Sequence, residues 1–421
     1  MRRPFIAVAL AVGLAAAVLP VAISGADTPA PKGLPAFYSV PSHWPSRAPG
    51  TYLKSQAVTV AGLNGTAKRV MYVSQAYKNK AVPVTGYVVY PKGTAPKAGW
   101  PVVAWSHGTN GMADICAPSL AIGNSDIPVS IMNSFLAKGW AFVASDYQGE
   151  ATPGLLPYIV GQSAAVDTIN LVLAAEKVPG AHTSPTWVDW GHSEGGQTAM
   201  FVDHIGATYG KGLHLKGVVA GAPPSQFSLL NAFLKTSPYA YYILMVAFGF
   251  NAYYGNTVAN LNLVLTPTAK ALLPDISTLP KNVGQCTSIL ASAVAKYVAA
   301  KKFSELQKAD PYTVPSWKKL IIANDPGTFK VKSTVPLLII QGGKDEQIPT
   351  ITTLALYNHL CGLGQVAQRW IYPGQSHAGV IAPSFNDMIK WISDRFAGGK
   401  NPDPYVPVGE PGIVPAAQTC N

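Results

Sequence analysis

The chain has 421 residues, of which 48% are apolar and 12% charged, and a formal net charge of +11. That length allows one large domain with an insertion, or two domains. The positive charge is scattered, with Lys301-Lys302 and Lys318-Lys319 as its longest clusters. This sets aside the basic stripe of a nucleic-acid binder, and so low a share of charge suits a protein that keeps apolar surface for a greasy substrate.

The N-terminus reads as a secretory signal peptide. Arg2 and Arg3 precede an apolar Ala/Val-rich run from Phe5 to about Ile23, and the small residues Ser24, Gly25 and Ala26 offer a cleavage site. An uncleaved anchor is the alternative, though the Ala and Gly content and Pro20 make the run weakly lipophilic. Arg2-Arg3 with Phe5 also fits a twin-arginine export signal. Cleavage after Ala26 leaves 395 residues and a charge of +9, since Arg2 and Arg3 are removed with the leader. No other stretch reaches membrane-spanning length without polar interruption.

Residues 27 to about 65, rich in Pro, Ser and Gly, are expected as an extended arm. Arg69–Ser74 and Pro83–Tyr90 alternate as an antiparallel hairpin. Short buried strands follow at Pro101–Trp105, Trp140–Ala144, Thr186–Trp190, Gly217–Ala220, Val335–Ile340 and Gln368–Tyr372. Helical patterns lie between them, clearest at Ser163–Lys177, Glu194–Ala207, Ile351–Cys361 and Pro383–Phe396. Strand and helix in turn predict an α/β fold with a mostly parallel, doubly wound sheet. One helical segment breaks the alternation and carries Phe233, Tyr239, Tyr241, Tyr242, Phe248, Phe250, Tyr253 and Tyr254. These aromatics read as the core of a packed subdomain, as the lining of an acyl-chain tunnel in a cap, or as both. The domains expected are a signal peptide (1–26), a first part of the core (27–224), a helical cap or lid (225–330), a second part of the core (331–400) and an extended tail (401–421).

Trp190-Gly191-His192-Ser193-Glu194-Gly195-Gly196 carries the strongest chemical signal. It follows a strand and opens a helix, the context of a G-x-S-x-G nucleophile elbow, the mark of an α/β-hydrolase fold. Only small neighbours let so sharp a turn close behind Ser193. A serine nucleophile needs a base, and the base needs an orienting acid. His377 lies on a loop of small residues just after a strand, whereas His204, His214 and His359 read as structural. Asp345 falls in the turn after Val335–Ile340, with Glu346 as the adjacent rival expected to face elsewhere. Asp146 precedes the nucleophile and reads as a structural group beneath the site, and His192 as a packing residue. The N–H groups of Thr109 and Glu194 are the candidate oxyanion donors, with the Thr109 hydroxyl as a possible assistant.

These features resemble the secretory lipase family typified by Candida antarctica lipase A, in a bacterial version. The elbow, the Gly-Gly-Lys-Asp345-Glu346 turn, Gln375-Ser376-His377, Cys116-Ala117-Pro118-Ser119 and the helical insertion carry the resemblance. It implies an α/β-hydrolase with a narrow acyl tunnel under a cap, lipid ester substrates and no cofactor. The residues alone show four cysteines, an even count behind an export signal, with three possible pairings; none is spaced for a metal. The resemblance implies Cys116–Cys286 and Cys361–Cys420. The oxyanion loop departs from the family, with His107-Gly108-Thr109 where the fungal lipase has an acidic residue. An acyltransferase or a polyester hydrolase would use the same triad, and an inactive binding module is the reading outside the enzymes.

Overall fold

The computed structural model describes residues 26–125, 127–273 and 285–420; the expected signal peptide, save Ala26, lies outside them. Among the described residues the strands are β1 Tyr52–Val58, β2 Gly65–Ala76, β3 Lys80–Pro91, β4 Trp100–Ser106 and β5 Ala141–Ser145. After these come β6 Thr183–His192, β7 His214–Gly221, β8 Leu337–Gly342, β9 Ala367–Tyr372 and β10 Ala416–Cys420. They form one sheet in the order β1-β2-β3-β5-β4-β6-β7-β8-β9-β10. The strands from β5 across to β9 run parallel. β1 to β3 at one edge and β10 at the other are antiparallel.

The central strands form where the sequence is buried on both faces. β5 (AFVAS) and β8 (LLIIQG) are buried at every position, as parallel strands covered by helices require. Alternate residues divide between two cores. Val102, Val218 and Ile339 pack with the helices Gly161–Ala175, Glu194–Tyr209 and Thr350–Gly362. Val103, Val219 and Ile340 face the other way, toward the helices Val129–Ala137 and Ile381–Phe396. The result is the α/β-hydrolase fold.

Two segments differ from expectation. The arm of residues 27–65 contains β1, which pairs with β2 from Tyr52 to Val58. The hairpin is longer than its alternation predicts, pairing Gly65 with Pro91 at one end and Ala76 with Lys80 at the other. The tail remains extended until β10, whose last residue, Cys420, is bonded to Cys361 on the helix Thr350–Gly362.

Between β7 and β8 the chain is helical, with Phe227–Leu234, Tyr241–Tyr254, Ser288–Ala299 and Pro315–Asn324 as its main helices. Leu244, Phe248, Phe250 and Trp317 build an apolar cluster there. Tyr147, Tyr158 and Ile159, from loops of the sheet, complete it, so the insertion packs onto the hydrolase core. Asp325 joins its two ends. Its carboxylate accepts the N–H groups of Gln226 at 2.9 Å, Phe227 at 2.7 Å and Gly327 at 2.8 Å. Cys286 of the insertion is bonded to Cys116, across 170 residues of sequence.

Candidate active site

The site lies where β4, β6, β8 and β9 end, at the carboxyl edge of a parallel sheet. β6 runs to His192, and the helix Glu194–Tyr209 begins directly after Ser193. Ser193 itself stands at φ 61°, ψ −124°, a conformation that costs an L-residue about 1–3 kcal/mol. Two glycines make the turn possible. A Cβ on Gly195 would lie 1.8 Å from the Ser106 carbonyl, and one on Gly191 would lie 2.0 Å from that of Gly195. The Ser193 N–H donates to the Gly221 carbonyl at 2.9 Å, fastening the elbow to β7.

His377 and Asp345 meet above the ends of β9 and β8. The Nδ1 of His377 lies 2.8 Å from one Asp345 oxygen and 3.0 Å from the other. Asp345 is itself held: it accepts the N–H groups of Gln347 and Ile348 and the side-chain amide of Gln341, all at 2.8–2.9 Å. The imidazole is buried, and its Nε2 has no hydrogen-bond partner among the described residues. Its ring is 4.8 Å from that of His192, the residue before Ser193. Burial holds the His192 pKa well below its ordinary value, with His377 adding to the effect, so His192 is a neutral neighbour of the nucleophile.

Glu346 corrects the expectation that it would face elsewhere. Its Oε2 accepts the His377 backbone N–H at 3.0 Å, and its Oε1 takes the Tyr239 hydroxyl at 3.4 Å. It thus ties the histidine loop to the insertion.

The loop after β4 passes beside the nucleophile: a Cβ on Gly108 would lie 3.6 Å from the Ser193 Cβ. The Thr109 hydroxyl is engaged with the Tyr158 hydroxyl at 2.8 Å, which leaves its N–H as the group to offer a ligand. Glu194 opens a helix, where first-turn amides lack intrahelical acceptors. Its carboxyl is buried and has Thr109 as its hydrogen-bonding neighbour; burial pushes its pKa up to about 8. Asp189 of β6 is buried below, bonded to the Ser106 hydroxyl at 3.0 Å, and burial raises it well above the usual carboxylate range.

Ser193 and Glu194 open into an apolar cavity walled by Tyr158, Phe227, Leu230, Leu234, Tyr242, Val246, Phe250 and Trp317. Of the aromatics singled out in the sequence, Tyr242 and Phe250 line it. Phe233 is exposed, while Tyr253 and Tyr254 pack on Tyr77 of the β2–β3 turn. The remaining candidates are structural. His204 stacks on Phe329, His359 bonds the Phe329 carbonyl at 2.8 Å, and His214 is exposed. Asp146 accepts from Thr85 and from Ser119. Gln341, Tyr158 and the Glu194 side chain were not singled out in the sequence, because their roles come from contacts with distant segments.

Strand order, elbow and the placement of the serine, aspartate and histidine after β6, β8 and β9 on one edge of the sheet make the chain an α/β-hydrolase. Within that class it belongs to the secretory lipase family, whose model matches residues 121–403. A secreted triacylglycerol lipase of Malassezia globosa is 24% identical over 379 residues, covering 86% of this chain and 80% of that protein. A probable inactive lipase of Mycobacterium tuberculosis is 27% identical over 201 residues, 44% of each chain. The solved structure of Candida antarctica lipase A in its closed state shares the fold, with a TM-score of 0.73 at 17% identity, over 89% of this chain and 87% of that one. Family membership supports a carboxylic ester hydrolase of lipid esters, and, with the two disulfides, an extracellular location. No helix among the described residues is long and apolar enough to cross a membrane.

Proposed function

We infer that the chain is a secreted lipase or carboxylesterase that cleaves lipid esters through an acyl-enzyme on Ser193. The observation that carries this reading is the Asp345–His377 pair at 2.8 Å beside the strained Ser193 elbow, opening on an apolar cavity. In the reaction, Ser193 Oγ attacks the ester carbonyl while His377 Nε2 takes its proton. Asp345 keeps the imidazole in the tautomer with a proton on Nδ1 and stabilises the imidazolium. The carbonyl oxygen, now negative, accepts from the N–H groups of Thr109 and Glu194. His377 then returns the proton to the leaving alcohol, and a water molecule repeats the sequence to release the acid. The acyl chain occupies the cavity beneath the helical insertion, which serves as the cap, and the free carboxylic acid is released with no cofactor taking part.

The test is labelling with a fluorophosphonate probe, alongside hydrolysis of p-nitrophenyl esters from C2 to C18 and of emulsified triolein. Ser193→Ala is expected to remove labelling and to lower turnover by about 10³-fold or more while keeping the fold. An inactive chain, such as the Mycobacterium relative is named to be, predicts an unlabelled wild type. More than about a tenth of wild-type activity in Ser193→Ala would move the nucleophile elsewhere.

A further inference from the structure

The reaction above uses Glu194 only through its backbone N–H, yet its side chain is costly to hold where it lies. The residue is 2% exposed and lines the cavity beside Ser193. Its Oε2 has no hydrogen-bond partner among the described residues. Thr109 neighbours the carboxyl, and the Thr109 hydroxyl is in turn bonded to Tyr158.

The titratable groups that interact with it are phenols, and histidines and another acid lie elsewhere around the site. Tyr147 follows β5, Tyr158 precedes the helix Gly161–Ala175, and Tyr242 comes from the insertion. His107 is stacked on Tyr147, Asp189 is buried below on β6, and His192 and His377 lie around the nucleophile. No lysine or arginine among the described residues forms an ion pair with Glu194. A carboxylate there would be a buried, unpaired charge, whereas a neutral acid needs only hydrogen-bond partners.

We propose that Glu194 is a positioning residue that works only as a neutral acid: protonated, it steadies Thr109 beside the nucleophile, and ionised, it opposes the negative charge forming on the substrate carbonyl. In the proposed reaction this oxygen accepts from the N–H of Glu194 and that of Thr109, and a carboxylate in the same dry pocket works against both. Burial, against the pull of the Thr109 bond, pushes its pKa up to about 8. The acid is therefore neutral in mildly acidic to neutral medium and charged in alkaline medium. The proton it loses goes to solvent and takes no part in the ester chemistry. The inference rests on the Ser193 reading, and its signature is an alkaline fall in rate that a general base such as His377 does not produce.

The experiment compares kcat/KM for p-nitrophenyl butyrate across pH 6–10 in wild type, Glu194→Gln and Glu194→Ala. In wild type the rate is expected to fall about tenfold per pH unit above about pH 8. Glu194→Gln, which keeps a neutral group of the same shape, is expected to lose that fall, so that its ratio to wild type rises by the same factor. Glu194→Ala is expected to be slower than wild type below about pH 8 and to lack the alkaline limb. Parallel profiles for wild type and Glu194→Gln would overturn the proposal. Should the variants fail to fold, the wild type alone decides, by its rate of fluorophosphonate labelling with circular dichroism as a control on the fold. A decline above about pH 8 supports the proposal, and a flat rate overturns it. No labelling at any pH would instead refute the esterase reading.

Discussion

Removing the Cys116–Cys286 bond, by changing both residues to Ala, tests how the insertion is held. The bond closes a loop of 170 residues, and the chain-entropy estimate for such a loop is about 5 kcal/mol, an upper value that native-state relaxation reduces. Unfolding entropy is about 2.1 cal/mol/K per residue, or roughly 0.8 kcal/mol/K for a mature chain of this length, so the midpoint should fall by about 6 °C. The activity change should be graded. In the proposed function long acyl chains occupy the cavity walled by Leu230, Leu234, Tyr242 and Phe250 of the insertion, so p-nitrophenyl palmitate hydrolysis should suffer most. The acetate ester should not escape, because the disulfide packs against the loop after β4 that runs beside Ser193: a Cβ on Gly111 would lie 2.8 Å from Cys116 Sγ and from Cys286. Calorimetry beside the two ester assays provides the check. A midpoint within about 1 °C of wild type would refute the loop-closure argument, since it would mean that cross-linking the insertion to the core constrains nothing.

Ser193→Gly should be more stable than Ser193→Ala by about 1 kcal/mol, because glycine tolerates the φ of 61° that strains the native serine; equal denaturation midpoints would count against strain at the elbow. Asp345→Asn should lower kcat by about 10³–10⁴-fold by losing the carboxylate 2.8 Å from His377 Nδ1. Glu346→Gln keeps an acceptor for the His377 N–H and should cost less than about tenfold; the reverse ranking would make Glu346 the orienting acid. Stability should fall as pH rises from about 4 to 8. Burial raises the folded-state pKa of Asp167 and Asp203 to about 7 and of Glu194 to about 8. Their stabilising contribution is fully present below the unfolded-state values, and is lost as pH climbs through the folded ones. The melting temperature at about pH 5.5 should therefore exceed that at about pH 8.5, and an equal or higher value at the alkaline pH would refute this.

The central strands, the elbow and the three triad candidates were legible because each leaves a local mark. Buried parallel strands are continuous apolar runs, and the elbow needs small residues on both sides of Ser193. β1 and β10 leave no such mark. YLKSQAV and AAQTC are edge strands, no position of which is fully buried, so backbone pairing rather than side-chain alternation defines them. The Glu194 carboxyl was missed for another reason. Its burial is made by Tyr158 and Tyr242, 36 and 48 residues away in opposite directions along the chain, and no motif carries that information. Glu346 was misread because alternation along an extended chain sends neighbours to opposite sides, whereas in this turn both carboxylates reach His377, one through the ring and one through the backbone.

The hold that Asp325 keeps on both ends of the insertion has an evolutionary consequence. Gln226 and Asp325 are 99 residues apart in sequence but joined by a hydrogen bond of 2.9 Å. The sheet therefore meets everything between them as a single short crossing from β7 to β8, whatever that crossing contains. Length and sequence inside the insertion can drift, or be exchanged wholesale between relatives, without moving the register that sets Ser193, Asp345 and His377. On the function proposed above, chemistry and substrate choice become separately heritable: the first is written in the strand ends, the second in a segment joined to them through Asp325, the Cys116–Cys286 bond, the Glu346–Tyr239 contact and its apolar packing on the core.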